Sequence, residues 1–249
     1  MAGHNKWSSI KHRKGAQDAK RGKIFTRIAK EITIAAREGG GDQEFNAALR
    51  LAVDKGKAAN MPKDNIERAI KRGTGELDGG QLEEILYEGY APHGVGLIIE
   101  CVTDNRNRSV AEVRSTLNKN GGNMATSGAV AWQFTQKGFL LVEGYDDEDE
   151  LFMLAAEAGA EDVQFDDGSA SIFSEKESFA AVRTEIQDAG LTLKEASLIY
   201  DPNQPMTLDA KQSAQVLRLV DLLEDLDDVQ NVYSALDITD EAIAEMGGD

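Results

Sequence analysis

The spacing of apolar residues predicts a helical segment at the start of the chain, followed by strands and helices in alternation. Apolar side chains recur three or four residues apart from Ile24 to Ala36, and three glycines at 39–41 stop this run. The same spacing predicts a second helix over 46–58. Residues 1–22 have no apolar face with which to offset their conformational entropy. They are therefore predicted to form an arm that is mobile, or that becomes helical against a partner.

A third helix is predicted from the sequence NMPKDNIERAIKRGTG at 60–75. Asp64 is interpreted as its N-cap residue, with Glu67 completing a capping box three residues later. Gly73 is interpreted as the glycine that follows the last turn. Together the three helices predict a compact helical domain over residues 23–78.

From residue 82 the pattern favours strands. EEILYEGYAP and VGLIIECVTD predict a hairpin around His93 and Gly94. A helix is predicted over 104–120, ended by Gly121 and Gly122, and AVAWQFTQ is interpreted as a further strand.

Residues 138–201 then follow the order strand, helix, strand, strand, helix, strand, which is that of a ferredoxin-like βαββαβ domain. The helix predicted at 209–226 and the strand after it are most simply placed in the sheet begun at residue 82. We therefore predict an α+β fold in which one α/β domain of ferredoxin-like type is inserted into another. The predicted division is an arm at 1–22, a helical domain at 23–78, a split α/β domain at 79–137 plus 202–249, and an inserted domain at 138–201.

Charge is distributed very unevenly along this chain of 249 residues. The totals are 27 Lys+Arg and 44 Asp+Glu, for a net charge of −17. Residues 1–75 contain 17 basic and 8 acidic residues, whereas residues 76–249 contain 10 and 36. Because an acidic surface repels a polyanion, any nucleic acid is expected to meet the N-terminal part.

The composition also restricts the class of protein and its compartment. A content of 41% hydrophobic and 29% charged residues is typical of a globular protein. Cys101 is the single cysteine, so an intramolecular disulfide is impossible and a reducing, cytoplasmic location is expected. No apolar run reaches the ~20 residues of a membrane span.

The segment from His4 to Lys30 is the strongest candidate for a binding site, since it has nine basic residues and one acid, Asp18. A solvated tail and a membrane-binding segment are the alternatives, but the second would need an apolar side that the arm lacks. Lysine and arginine bind phosphates by density and reach, and an aromatic ring or a histidine can stack on or hydrogen-bond to a base. The predicted nucleic-acid contacts are Lys6, Trp7, Lys11, His12, Arg13, Lys14, Lys20, Arg21, Lys23, Arg27 and Lys30.

Two further features leave the choice between DNA and RNA open. The helices at 46–58 and 64–72, with Arg68, Lys71 and Arg72 on the second, resemble a helix-turn-helix, whereas a flexible basic arm suits folded RNA. The segments 104–109 and 120–130 offer possible secondary phosphate contacts, at Arg106, Arg108, Gly121 and Gly122.

The residues suggest no catalytic group, metal ligand or cofactor site. No histidine has partners at metal-ligand spacing, and Cys101 lies in an apolar strand where a buried, inert thiol is expected. No phosphate-binding glycine motif is present. The acidic cluster at 146–150 is interpreted as capping a helix near 148, and the cluster at 223–228 as a solvated helix end.

Several motifs resemble the YebC family over essentially the whole chain: the basic arm, YEGYAP, DNRNRSVAEVR, KNGGN, AGAEDV and LLEDLDDVQNVY. The resemblance implies a cytoplasmic protein with a helical N-terminal domain and two α/β domains, one inserted in the other. Members are commonly classed as probable DNA-binding transcriptional regulators. Similar mitochondrial proteins are translational activators, and bacterial members have been linked to stalled ribosomes.

Three functional hypotheses follow. The preferred one is a non-enzymatic regulator that binds ribosomal RNA through residues 4–30 and assists translation on the ribosome. The second is a DNA-binding transcriptional regulator that acts through the helical domain. The third is a protein–protein adaptor that uses the acidic α/β domains. No membrane partner is expected, and the sequence leaves self-association open.

Overall fold

A computed structural model of the chain describes residues 18–77, 82–166 and 168–246. The helices in chain order are α1 (Asp18–Gly39), α2 (Ala47–Ala58), α3 (Lys63–Gly73), α4 (Arg106–Lys119), α5 (Glu148–Glu157), α6 (Phe179–Asp188), α7 (Ala210–Glu224) and α8 (Asp240–Met246). The strands are β1 (Glu83–Tyr90), β2 (Gly96–Thr103), β3 (Asn123–Met124), β4 (Phe134–Glu143), β5 (Ala160–Asp166), β6 (Ser169–Glu175), β7 (Thr192–Pro202) and β8 (Val229–Ser234). They form two compact units: Phe134–Asn203, and the described residues on either side of that segment.

Helices α1, α2 and α3 pack around a small apolar core of their own. Ile32 and Leu49 are fully buried at its centre, as the spacing of apolar residues predicted. Asn46 caps the start of α2 by accepting a hydrogen bond from the Leu49 amide, and its side-chain amide donates to the carbonyls of Ala35 and Gly40. Because one side chain satisfies groups of α1, α2 and the link between them, it fixes the angle at which the chain turns. Helix α1 includes residues 18–22, which the sequence assigned to the arm.

The ends of α3 differ from the prediction. The helix begins at Lys63 with Pro62 as its N-cap residue, and Asp64 lies in the first turn without a capping hydrogen bond. The glycine with positive φ is Gly75, at 79°, not Gly73. Gly73 is instead a point of close approach between helices, since a Cβ there would overlap the carbonyl oxygen of Thr33 on α1. A tertiary contact, which local spacing does not reveal, explains this glycine.

The first sheet has the strand order β3-β1-β2-β8, with every neighbouring pair antiparallel. The predicted hairpin is confirmed, and its connection uses left-handed backbone at His93 and Gly94. Helix α4 ends as predicted, where Gly121 has a φ of 78°. Strand β8 pairs with β2, so a segment far along the chain completes the sheet. Helices α4 and α7 contact each other and this sheet, while α8 packs on α7.

The second unit contains the βαββαβ series from β4 to β7 with the strand order β5-β6-β4-β7, which is ferredoxin-like. Its core is formed by apolar residues of the sheet and of α5 and α6. Strands β4 and β7 are antiparallel along their whole length, and Phe134 at the start of β4 is opposite Pro202 at the end of β7. The chain therefore begins and ends this unit at neighbouring positions of two paired strands.

The predicted α+β class, with a helical domain and two antiparallel α/β sheets, is confirmed. The separate strand predicted for AVAWQFTQ is wrong, because Ala131–Gln133 form a 3₁₀ turn and Phe134 begins the same strand that contains GFLLVE. Strand β3 and helix α8 were not predicted. Asp147 caps α5 by accepting from the amides of Asp149 and Glu150, so the interpretation of the cluster at 146–150 is confirmed. The exact domain boundaries drawn from the sequence stay predictions.

Candidate nucleic-acid interface

The structure describes only part of the predicted binding segment. Lys6, Trp7, Lys11, His12, Arg13 and Lys14 lie outside the described residues, and Lys20 and Arg21 lie in the first turns of α1. The contacts predicted for these eight residues stay predictions. The side chains of Lys23, Arg27 and Lys30 are described, and they determine how far the basic segment is free to bind a partner.

These three cations contact the acidic turn, which we define as residues 224–228 between α7 and β8. Lys23 Nζ donates to the Asp225 carbonyl at 2.8 Å, and Arg27 Nη2 donates to the Glu224 carbonyl at 2.8 Å. Lys30 Nζ donates to the Asp227 carbonyl at 2.8 Å. The last carbonyls of a helix carry partial negative charge, so cations are favourable there. Part of the predicted phosphate-binding face therefore binds the protein's own backbone.

Asp228 is the centre of this contact. Its carboxylate accepts hydrogen bonds from Lys30 Nζ at 2.9 Å, Thr103 Oγ1 at 2.8 Å and Arg108 Nη2 at 3.0 Å, and the residue is only 3% exposed. Burial alone would raise the pKa of Asp228, but these hydrogen bonds outweigh burial and lower it. The prediction that 223–228 is merely a solvated helix end is therefore wrong. Asp228 is buried because it joins α1, β2 and α4.

The possible secondary phosphate contacts also have intramolecular roles. Arg108 pairs with Asp228 and with Asp104, whereas Arg106 is exposed and pairs with no acid among the described residues. The amide of Gly122 donates to the Leu117 carbonyl at 2.9 Å as part of the end of α4. Gly121 supplies a turn with positive φ. Of the four residues, Arg106 is the one for which no ion pair or hydrogen bond with another described residue would have to be broken before it could bind phosphate.

The amides of the segment at 128–131 also face inward. The Glu88 carboxylate accepts hydrogen bonds from the amides of Gly128 and Val130 at 2.6 Å each and from Ala131 at 2.8 Å. Burial would raise the pKa of Glu88, but the three backbone donors outweigh burial and lower it. A carboxylate from the adjacent strand thus occupies the amides that the sequence had suggested for phosphate.

The clearest open basic surface lies on α3. Arg68, Lys71 and Arg72 are exposed and form no ion pair with any described residue. Arg68 and Arg72 stand at the edge of the α1–α3 groove, a concavity of about 190 Å³. The groove is lined by Phe25, Thr26, Ala29, Thr33, Met61, Asn65, Arg68, Ala69 and Arg72. The sequence had placed these cations on a helix, but the groove depends on how two helices cross.

A second, larger cleft of about 500 Å³ shares Thr26, Ala29, Thr33 and Arg72 with the first. Its other side is formed by the split α/β domain and has charges of both signs, including Arg108, Glu112 and Asp227. The helical side of this continuous concave surface is cationic, and the far side is mixed. Because Lys30, the α1 cation of this cleft, is already bonded to Asp228, an anionic ligand is favoured at the α3 cations rather than along α1 or the mixed far side.

The remaining reactive residues have structural surroundings. Burial raises the pKa of the Cys101 thiol to about 12, so it is not a nucleophile near neutral pH. A ring nitrogen of His93, the one histidine in the described ranges, lies 2.8 Å from Gln215 Oε1. Within residues 18–77, 82–166 and 168–246, no three His, Cys, Asp or Glu side chains are grouped to hold a metal ion. No helix of those ranges is long and apolar enough to cross a bilayer.

Comparison with known proteins identifies the family. Residues 5–76 match the TACO1/YebC protein N-terminal domain, and residues 82–236 match the TACO1/YebC second and third domain. A protein of Syntrophotalea carbinolica is 53% identical over 248 residues, covering 100% of both chains. One of Geobacter sulfurreducens is 52% identical over 246 residues, covering 99% of this chain and 100% of its own. Each is named a probable transcriptional regulatory protein.

A solved structure agrees with this assignment. The crystal structure of a conserved hypothetical protein from Aquifex aeolicus is similar, with a TM-score of 0.82 and 42% sequence identity. The similarity covers 90% of this chain and 93% of that one. Because the two family models together span nearly all of residues 5–236 and the relatives match from end to end, the chain belongs to the TACO1/YebC family.

Proposed function

We propose that this chain is a non-enzymatic regulator of gene expression that binds nucleic acid through its helical domain in the cytoplasm. The preferred target is ribosomal RNA, and the preferred role is to assist translation. The observation that carries the proposal is the positive charge of Arg68, Lys71 and Arg72, which no described acid neutralises although the chain as a whole has a net charge of −17. Lysine and arginine side chains of this kind neutralise the phosphates of nucleic acid and release their counterions, which favours binding.

The structure changes which residues carry the proposal. Lys23, Arg27 and Lys30 already have acceptors in the acidic turn, so binding phosphate through them would first require breaking those hydrogen bonds. The α3 cations require no such exchange among the described residues. We therefore assign the main contacts of the folded domain to α3 and the α1–α3 groove. The contacts predicted from Lys6 to Arg21 remain part of the proposal.

The distribution of charge on α3 favours RNA over a helix-turn-helix mode of DNA binding. A recognition helix reads bases mainly with its N-terminal residues. In α3 that end presents Asp64 and Glu67, both exposed, and Lys63 is paired with Glu67 at 3.4 Å. The cations lie in the C-terminal half, and two of them, Arg68 and Arg72, line the α1–α3 groove. Such a surface suits phosphates and unpaired bases of irregular RNA better than the floor of a major groove.

The proposal is tested by changing the charge at two places to the same extent. Arg68, Lys71 and Arg72 are replaced together by Ala, and the matched control replaces Arg114, Lys119 and Lys211, which are exposed cations on α4 and α7. Binding to a labelled single-stranded RNA is measured over a range of salt concentrations. The α3 variant should weaken binding and lower the log–log salt slope by about 2, at ~0.7 per phosphate contact, whereas the control should retain the slope.

Equal losses in both variants would contradict an interface at α3 and would indicate attraction to overall charge. Removal of residues 1–17 in a third variant measures the contribution predicted for the arm. Sedimentation of lysate in sucrose gradients, with and without nuclease, then tests the ribosomal target. The protein should sediment with ribosomal particles and leave them after nuclease treatment.

DNA-binding regulation of transcription is the second candidate function. The names of the relatives favour it, and α2 and α3 have the order of a helix-turn-helix. It predicts one preferred duplex that binds at least ~10³ times more tightly than random duplex. Finding such a duplex, together with no sedimentation with ribosomes, would replace RNA by DNA as the target.

A further inference from the structure

Helix α5 has large apolar side chains on its solvent-facing side as well as on the side that packs against the sheet. Phe152 is 49% exposed and Met153 is 62% exposed, on a helix whose Leu151 and Ala155 are buried against the sheet. Helical geometry places residues 148, 149, 152, 153 and 156 together on the side away from the core. All five are exposed. We call this set the α5 face.

The core of the second unit does not use the two large side chains. Leu151, Ala155 and partly buried Leu154 belong to that core, and Phe152 and Met153 do not. Solvent-facing positions of a surface helix are ordinarily polar, so two adjacent large apolar residues there indicate a surface that another molecule covers. Phenylalanine and methionine are among the side chains enriched at protein interfaces.

The surrounding charge determines the class of partner. Glu148 and Asp149 precede the apolar pair by one turn on the same face, and Glu157 lies near its other end. Residues 134–203 contain 17 acidic and 4 basic residues. Nucleic acid is repelled by this surface, and a second copy of the same face would bring like charges together. A protein segment with basic residues beside apolar ones is complementary to both features.

We propose that the α5 face docks a basic amphipathic segment of another protein, with apolar side chains on Phe152 and Met153 and Lys or Arg beside Glu148, Asp149 and Glu157. Asp147 caps the helix through the amides of Asp149 and Glu150, so the face is formed before the partner arrives. A pre-formed surface lowers the entropic cost of binding. This proposal uses none of the residues assigned to the nucleic-acid interface and does not depend on that interface.

The test uses the full chain and three synthetic helical peptides as probes. One has a leucine stripe flanked by lysines, the second has the same lysines with serine in place of leucine, and the third has leucine flanked by glutamates. Binding of each labelled peptide is followed by fluorescence anisotropy at physiological salt. The Lys/Leu peptide should bind the wild-type protein, and the other two should bind at least about tenfold more weakly.

Phe152→Ser with Met153→Ser should reduce binding of the Lys/Leu peptide by about tenfold or more. Leu222→Ser, which alters an exposed apolar residue on α7, is the matched control and should leave binding unchanged. Thermal unfolding by circular dichroism confirms that each variant is folded. The triple Ala variant of Arg68, Lys71 and Arg72 should bind the peptide with wild-type affinity. The peptide assay and the RNA assay therefore test the α5 face and the nucleic-acid interface independently.

Three outcomes would overturn the proposal. Retention of peptide affinity in the Phe152 and Met153 double variant, or equal loss in the Leu222 control, would show that the face is not the docking site. Loss of a dimer in sedimentation velocity by the double variant would mean that a second copy covers the face. Loss of RNA binding without loss of peptide binding would assign the surface to nucleic acid.

Discussion

Replacing Asp228 by Asn provides the sharpest test of how the helical domain is joined to the first sheet. The carboxylate is nearly inaccessible and accepts from Lys30, Thr103 and Arg108. Removing one partner of a buried ion pair costs about 3–5 kcal/mol, because the other charge stays buried. Lys30 is 14% exposed at its side chain and also donates to the Val102 and Asp227 carbonyls, so it does not lose every acceptor.

The expected cost therefore lies at the lower end of that range, about 3 kcal/mol of the free energy of unfolding. Arg108 adds little to this value, since it is half exposed and keeps Asp104 as a partner. At about 2–4 °C per kcal/mol for a unit of this size, the unfolding temperature of the first unit should fall by about 6–12 °C. Differential scanning calorimetry of the full chain measures the shift, and the transition of the second unit should not move.

Asp201→Asn in the second unit is the control, because the two buried carboxylates have opposite pKa shifts. Burial raises the pKa of Asp201, whereas hydrogen bonds outweigh burial at Asp228 and lower its pKa. Its Oδ1 has no hydrogen-bond partner among the described residues, and Lys137 Nζ lies 3.7 Å from Oδ2. Neutralising this carboxylate removes a charge that burial penalises, so the change should stay within about 1 kcal/mol.

The dependence on pH follows from the sign of the shift. The folded-state pKa of Asp228 is depressed, so its stabilisation is complete above the unfolded-state pKa near 4 and is lost as pH falls through the folded value. The gap between the wild type and Asp228→Asn should therefore be constant from pH 5 to 7 and close below about pH 4. An unchanged unfolding temperature, or a gap that persists at low pH, would refute the role given to this carboxylate.

Three further predictions concern individual residues. Gly73→Ala should lower the free energy of unfolding by about 1–3 kcal/mol, because the added methyl group overlaps the Thr33 carbonyl. Gly22→Ala, which has open space around it in α1, should leave the free energy of unfolding unchanged or raise it by up to ~1 kcal/mol. Urea titration of both variants distinguishes the two signs. Glu88→Gln should lower the free energy of unfolding by about 1–3 kcal/mol, since the NH2 group of the glutamine would face backbone N–H donors. Hydrogen exchange of the backbone amides at 128–131 should become faster in this variant, and exchange at the wild-type rate would contradict the role given to Glu88. Cys101, with a pKa of about 12, should resist iodoacetamide at pH 8 in the native protein and react in urea; rapid native labelling would contradict its burial.

Features that depend on neighbouring residues were predictable from the sequence. The hairpin at 91–95, the end of α4 at Gly121 and the cap at Asp147 each follow from residues within a few positions of one another. Asp228 was misinterpreted because its partners, Lys30 among them, lie far away in the sequence, and an acidic cluster after a helix ordinarily faces water. The groove between α1 and α3 likewise depends on helix crossing. The basic segment was found by composition alone, but composition does not reveal which cations already have acceptors.

The pairing of Phe134 with Pro202 has a consequence for how such a chain can evolve. Because the second unit starts and finishes on neighbouring, paired strands, its two ends lie side by side. Insertion at a site of this kind leaves the parent fold intact. The unit that presents the α5 face is thus joined to the rest of the chain at two adjacent points, an arrangement in which a whole domain can be added or removed with little disturbance to the remaining fold.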